Sequence, residues 1–473
     1  MRKPSMTALA LAVGLFASGC AMLEPRDVEV APGVSVQWPL PAETAAVDAG
    51  SAPADAATRA VADIGWRDFF TDPRLEEVIA LALRNNRDLR VAMLNVEKAR
   101  AQYRIQRADR LPSLAASGQM TRSGGDVPVS EQYSAELGVA GFELDLFGRV
   151  RNLSQAALQQ YFASAESRRA AQLALVSEVA RGWLTLAADG ELLRIAQATL
   201  ESHEASLQLA EQRHRLGAAS ALELSQTRTL VESARADVAR YRGQVAQDRN
   251  ALNLLAGQTV AADLLPEAFE PQVSGLDPLP AGLPAEVLLR RPDVMAAEHQ
   301  LLAGNANIGA ARAAFFPSIS LTGAVGSASG ELSGLFESGT RVWSFMPQVT
   351  LPIFQGGRLR ANLGVATAER DIALAQYEKA IQSGFREVAD ALALERTLAE
   401  QRVAQQALLE SAQRAHDLAQ ARYDAGLDSF LVLLDARRTL YGARQGLVAT
   451  QLAEQGNRVT LYKVLGGGWV EQG

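Results

Sequence analysis

The chain has 473 residues, of which 48% are hydrophobic and 6% aromatic, with a formal net charge of -7. This length allows two or three ordinary domains, and the apolar content is enough for a buried core. The weak, dispersed negative charge holds no basic cluster for nucleic acid and no acidic tail.

Residues 1–19 read as an address. Arg2 and Lys3 form a positive start, Ala8 to Phe16 an apolar stretch, and Ala17-Ser18-Gly19 precede Cys20. The apolar stretch is too short to cross a bilayer as a helix. Cys20 is the single cysteine, so no internal disulfide exists. A lone cysteine behind small residues resembles the bacterial lipoprotein box, with Ala17 departing from the commoner Leu. The resemblance implies that Cys20 is lipidated and palmitate-bearing, and that Ala21 favours outer-membrane sorting. Residues 20–62 then form a lipid-anchored extended arm, rich in Pro, Ala, Val and Asp and without a period. No later run of about 18 apolar residues appears, so any crossing of a membrane requires a closed β-barrel.

The rest is duplicated. Asp88 through Leu114 aligns with Asp293 through Ile319 at an offset of 205, and Gly148-Arg149-Val150-Arg151 with Gly357-Arg358-Leu359-Arg360 at 209. Residues 63–257 are a first repeat, 258–284 a proline-rich linker, and 285–473 a second repeat with a C-terminal equatorial tail. In each repeat a helix of about 25 residues precedes two strands and two very long helices.

Alternation marks the strands. Tyr133, Ala135, Leu137 and Val139 share one face in the first repeat, and Ile319, Leu321, Gly323 and Val325 in the second. Trp343, Phe345, Val349, Leu351 and Ile353 share a face in the return strand. Loops are expected at Arg122–Asp126 and Ser327–Thr340. Trp343, Phe345, Tyr133 and Phe142 suit aromatic belts at a bilayer surface. Heptads mark the long helices: Val179 to Leu207, Leu224 to Leu252, and Leu433, Leu440, Leu447 and Leu461, with the polar Glu454 breaking the apolar series. The 66 residues from Val150 to Arg215 would form a rod of roughly 100 Å. Gly182 and Gly190 inside it each weaken the helix by roughly 1 kcal/mol.

Two repeats supply four strands, too few to close an open barrel, and an open edge cannot sit in lipid. Three copies would supply twelve strands, so the chain is expected to act as a homotrimer.

Asp63 to Phe70, Asn85 to Arg90, Glu143 to Arg149, Ala310 to Leu321 and Tyr462 to Trp469 carry a further resemblance. In these motifs the chain resembles outer-membrane factors of the TolC/OprM class, above all the OprM-like efflux lipoproteins, over nearly all of residues 20–470. That resemblance implies an α+β membrane protein: a trimeric 12-stranded outer-membrane β-barrel continued by a periplasmic α-helical barrel. It implies a passive exit duct for drugs and small toxic compounds, hence multidrug and antibiotic resistance. The partners would be a periplasmic adaptor and an inner-membrane pump of the resistance-nodulation-division (RND) type. A type I protein-secretion conduit is the alternative.

Two helix–helix turns hold Arg213, Gly217 and Ser220, and Arg422, Gly426 and Ser429. Gly ends one helix and Ser caps the next; the resemblance adds adaptor contact. Leu431, Asp435 and Arg438 share one helix face, and the resemblance makes them a periplasmic gate. Their first-repeat counterparts, Leu222, Gln226 and Thr229, lack the charges. Catalysis finds no support, and no cofactor or metal is expected: His203, His214, His299 and His416 lack ligand spacing. Gly326 to Gly330 is not a nucleophile elbow.

Overall fold

The computed structural model describes Gly33, residues 65–269 and residues 285–467. The signal segment, Cys20, nearly all of the 20–62 arm, part of the 258–284 linker and the tail beyond Gly467 lie outside the described residues.

The elements run α1 (Trp66–Phe69), α2 (Pro73–Asn85), α3 (Arg87–Ala108), β1 (Leu114–Ser123), β2 (Ser130–Leu144), α4 (Arg149–Arg215) and α5 (Ala221–Ala256). The second repeat gives α6 (Pro292–Ala313), β3 (Ser318–Ser329), β4 (Arg341–Thr350), α7 (Arg358–Asp424) and α8 (Phe430–Val464). Helices α4 and α7 each run unbroken for 67 residues. Gly182 and Gly190 therefore do not interrupt α4. No described helix is long and apolar enough to cross a membrane.

The helix expected before the strands is the 22-residue α3, and a further helix, α2, precedes it. Asp72 caps α2 through Arg74 N (2.8 Å), with Pro73 in the first turn. Asn86 then breaks the run. Its carboxamide oxygen accepts from Leu89 N (2.9 Å) as a cap for α3, and its Nδ2 donates to Leu255 O (3.0 Å).

The chain divides into two compact units, each drawing on both repeats. One unit holds residues 93–167 and 295–380 and contains the sheet. Its order is β1-β2-β3-β4, antiparallel throughout. Register aligns Leu114, Val139, Gly323 and Phe345 across the sheet, and next to them Ala116, Leu137, Val325 and Trp343. The opposite face carries Ser117, Gln119, Ser134, Glu136 and Ser320. One face is apolar and exposed in the protomer: Trp343 is 77% and Val349 66% accessible.

Four details depart from the sequence reading. A bulge between Val139 and Phe142, with Gly141 at φ 66°, shifts the alternation of β2 by one residue. Phe142 and Leu144 thereby join the face of Tyr133 to Val139, and Gly141 N donates to Thr322 Oγ1 (3.1 Å). Strand β4 stops at Thr350, so Leu351 and Ile353 are not strand residues; Pro352 between them has no N–H for a ladder. Arg122 and Ser123 belong to β1, extended by the Arg122–Glu131 ion pair (3.3 Å) and the Ser123–Ser130 hydroxyl contact (2.9 Å). Ser327 to Ser329 continue β3, where Tyr133 pairs with Ser329.

The other unit holds Gly33 and residues 65–92, 168–269, 285–294 and 381–467 among those described. Its core joins Trp66, Phe69 and Phe70 to Leu75 and Ile79 of α2, Val179 and Trp183 of α4, Leu252 of α5 and Tyr462 of α8. The Phe69 and Tyr462 rings stack at 4.0 Å, tying the two ends of the described chain together. Each such buried side chain contributes roughly 1.5–3 kcal/mol. The first part of the linker packs here too: Val260 is buried, and Trp183 Nε1 donates to Leu264 O (3.2 Å). Glu454 stays inside the α8 stripe, buried, and is paired with Arg402 (2.9 Å) and Arg458 (3.5 Å).

Candidate functional site

Both helix–helix turns lie in this second unit and share one backbone design. Gly217 (φ 72°) donates to His214 O (3.0 Å) and Ala218 N to Arg213 O (2.8 Å). Gly426 (φ 74°) donates to Tyr423 O (2.9 Å) and Leu427 N to Arg422 O (2.9 Å). This pair of bonds is the Schellman closure, and it needs a left-handed residue at the glycine position.

The next helix starts differently at the two turns. Ser220 caps α5 through Glu223 N (3.1 Å). Ser429 makes no side-chain cap to α8, which corrects the expectation that both serines cap. Asp428 instead binds Arg422, with Arg422 Nε and Nη2 donating to its carboxylate (2.6 and 3.0 Å). That hydrogen-bonded guanidinium holds the Asp428 carboxyl below the usual carboxylate range.

The two turns are tied to each other. Arg213 Nη1 donates to Tyr423 Oη (2.8 Å) while its guanidinium lies 5.4 Å from the ring centroid. Tyr423 Oη in turn donates to Glu223. Burial first, then the Glu223 carboxylate, push the phenol up to about 12. Arg213 is legible from the sequence, whereas Tyr423, Glu223 and Asp428 emerge as its partners or neighbours in these turns only in the structure. Tyr423 stands at the position of His214 in the repeat, and that substitution was the available signal.

Beyond the second turn, Leu431, Asp435 and Arg438 are all accessible to solvent, Leu431 at 62%. Asp435 and Arg438 do not pair with each other, and neither makes a side-chain hydrogen bond or ion pair among the described residues. In the first repeat Leu222 is also exposed, and Thr229 returns its hydroxyl to Ser225 O (3.0 Å). Leu431, Asp435 and Arg438 thus form an unpartnered stripe on one helix face.

A ladder of side chains braces each hairpin. Arg228 and Arg235 of α5 reach Glu211 and Glu204 of α4, each at 3.1 Å. At the same offset of 209, Arg437 and Arg444 of α8 reach Gln420 (2.7 Å) and Gln413 (3.0 Å) of α7. At these two rungs the first hairpin uses ion pairs and the second uses neutral acceptors. Arg437 also donates to Ser206 Oγ (2.9 Å) and leaves its Nε without a partner. Burial drives its basicity down. Beside it, His203 is buried with an unpartnered Nδ1, and burial followed by Arg437 lowers its pKa to about 4. Tyr441 to Asp237 (3.0 Å) and Gln445 to Tyr241 (2.9 Å) stitch α8 to α5.

The remaining histidines serve locally. His214 Nδ1 lies 2.9 Å from Ala219 O in the first turn, His299 Nδ1 2.7 Å from Gln159, and His416 Nδ1 3.1 Å from Asp417.

The family model for outer membrane efflux proteins matches residues 78–258 and 283–467, one match per repeat. The chain is 46% identical to the antibiotic efflux pump outer membrane protein ArpC of Pseudomonas putida over 98% of its own length and 96% of the relative's. It is also 46% identical, with the same coverage, to the toluene efflux pump outer membrane protein TtgC, again of Pseudomonas putida. The open-state crystal structure of the Neisseria gonorrhoeae MtrE outer membrane channel superposes with a TM-score of 0.84 at 41% identity, covering 94% of this chain and 98% of that one.

Proposed function

Because the chain belongs to the outer membrane efflux protein family, we propose that three protomers close into one exit duct whose periplasmic end is shut by Leu431, Asp435 and Arg438. The carrying observation is the two-faced sheet with open edges at β1 and β4. An apolar face suits lipid and a polar face suits a water-filled lumen, but unpaired edges are excluded from hydrocarbon. Only closure with further copies satisfies them, and three copies give twelve strands.

In the trimer, the threefold axis brings three copies of the Leu431–Asp435–Arg438 stripe together. Charges without partners in the protomer then find them in neighbouring protomers. The exposed turns around Gly217 and Gly426 form the surface for a periplasmic adaptor, which links the duct to an RND pump. Cys20 anchors the mature N-terminus to lipid. The duct is passive, and choice among exported compounds falls to the pump. Equal identity to a relative named for antibiotics and one named for toluene supports that division.

Planar-bilayer recording of the purified protein tests the duct and the gate together. Asp435→Ala is expected to raise closed-state conductance, and an unchanged conductance overturns the gate. In cells, Gly217→Val and Gly426→Val are expected to abolish drug resistance with trimer still present in the outer membrane. A deletion strain that loses secreted proteins and keeps full drug resistance would favour a protein-secretion conduit instead.

A further inference from the structure

A cavity of about 420 Å³ in the sheet-bearing unit lies outside the machinery described above. It is walled by α4, α6 and α7, and Arg151, Arg312 and Arg370 line it together with side-chain amides such as Asn152 and Asn305. No carboxylate lines it. Two other cavities differ: in one of about 630 Å³, Arg181 and Lys463 face Glu387 and Asp390, and in one of about 310 Å³, Arg149 faces Glu143 and Asp145.

The Arg151 side chain makes no hydrogen bond or ion pair among the described residues. Arg370 engages Asp371 through Nε alone (2.7 Å). Two glycines of α6 let the helices approach. A Cβ on Gly309 would stand 2.8 Å from the Asn152 carboxamide, and one on Gly304 would stand 3.2 Å from Arg370 Cα. At the offset of 205 the first repeat carries Ala99 and Arg104 in place of these glycines, so it does not reproduce this close approach.

The cavity sits at the foot of the sheet. Helix α4 begins at Arg149, shortly after β2 ends at Leu144, and α6 ends at Ala313, shortly before β3 begins at Ser318. Its lip is apolar and open, with Leu146 67% and Leu302 39% accessible. Arginine forks match phosphate oxygens in pairs, and a cavity whose lining holds arginines and no carboxylate favours an anion.

We propose that this cavity binds the phosphate of a phospholipid headgroup from the periplasmic leaflet, with the acyl chains passing Leu146 onto the apolar face of the sheet. The proposal rests on the reading of that sheet as membrane-crossing. Free phosphate shares the headgroup's charge chemistry but gains nothing from the apolar lip.

The test is native mass spectrometry of the full-length detergent-purified trimer titrated with phosphatidylglycerol, with inorganic phosphate as a separate arm. Arg151→Glu is expected to weaken lipid binding at least tenfold, and Leu146→Asn several-fold. Millimolar inorganic phosphate is expected to leave the bound lipid in place. Unchanged lipid binding in Arg151→Glu overturns the site. So does full displacement of lipid by inorganic phosphate, which would make it a small-anion site. Arg151→Gln, which only removes an unpartnered charge, serves if charge reversal prevents assembly. Conductance of the same preparations reports on the duct separately: a conducting trimer that ignores phosphatidylglycerol overturns the lipid site alone.

Discussion

Asp248 and Asp189 face each other across α4 and α5, and one Asp248 oxygen is buried without a partner. Burial, then the neighbouring Asp189, raise the Asp248 carboxyl to about 6. Its folded-state pKa lies above the unfolded value, so its stabilising contribution is complete below the ordinary aspartate range and is lost as pH climbs through about 6. Thermal melts between pH 4.5 and 7 are expected to fall more steeply for the native chain than for Asp248→Asn. Parallel slopes would remove Asp248 from the pH response. At the turns, Tyr423→Phe takes an acceptor from Arg213 and a donor from Glu223. A loss of about 1–3 kcal/mol is expected from denaturant unfolding, together with a higher resting conductance. These partners were illegible in the sequence because they lie some two hundred residues apart. The glycines and serines of the same turns were legible, since their roles depend on local backbone geometry. Ser429 shows the limit of that logic: the residue type permits a cap, but at this turn Asp428 makes the side-chain closure instead.

Among the elements, the long helices were the easiest to read. Their heptads repeat over many turns, and the structure places Val231, Val238 and Leu252, and Leu433, Leu440 and Leu461, inward. Short-range events were harder. The break at Asn86 depends on a carboxamide reaching Leu255, and the β2 bulge becomes visible only once β3 fixes the register. The side-chain ladders add a prediction at this scale. Gln420→Glu and Gln413→Glu would give Arg437 and Arg444 the counter-charges that Arg228 and Arg235 already have. The double variant is expected to unfold at a higher temperature, each new pair adding about 0.2–1 kcal/mol. A lower or unchanged melting temperature would show that the neutral acceptors are not the weaker rungs.

For the whole molecule, composition offered no footing for nucleic acid, and duplication with alternation pointed to a barrel built from several chains. What pattern alone could not supply was the way the two repeats mix: each compact unit takes segments from both. The lipid-facing side is testable by charge. Phe345→Arg, on the apolar face opposite Gly323, should cost about 2–4 kcal/mol if the residue lies near the bilayer midplane. The expected readout is loss of the heat-sensitive trimer band on a semi-native gel. A polar-face change of similar size, Gln348→Arg, should leave that band intact.

The open edges of β1 and β4 have a consequence for how such a protein is made. The sheet of a single newly exported chain cannot enter the hydrocarbon of a membrane, because it can be sealed only by chains not yet present. Insertion must then wait on encounter, and the yield of finished pores should climb more steeply than in proportion to the rate of synthesis. At low expression the cell would hold a reserve of waiting chains, exposed to periplasmic proteases and dependent on chaperones until two others arrive.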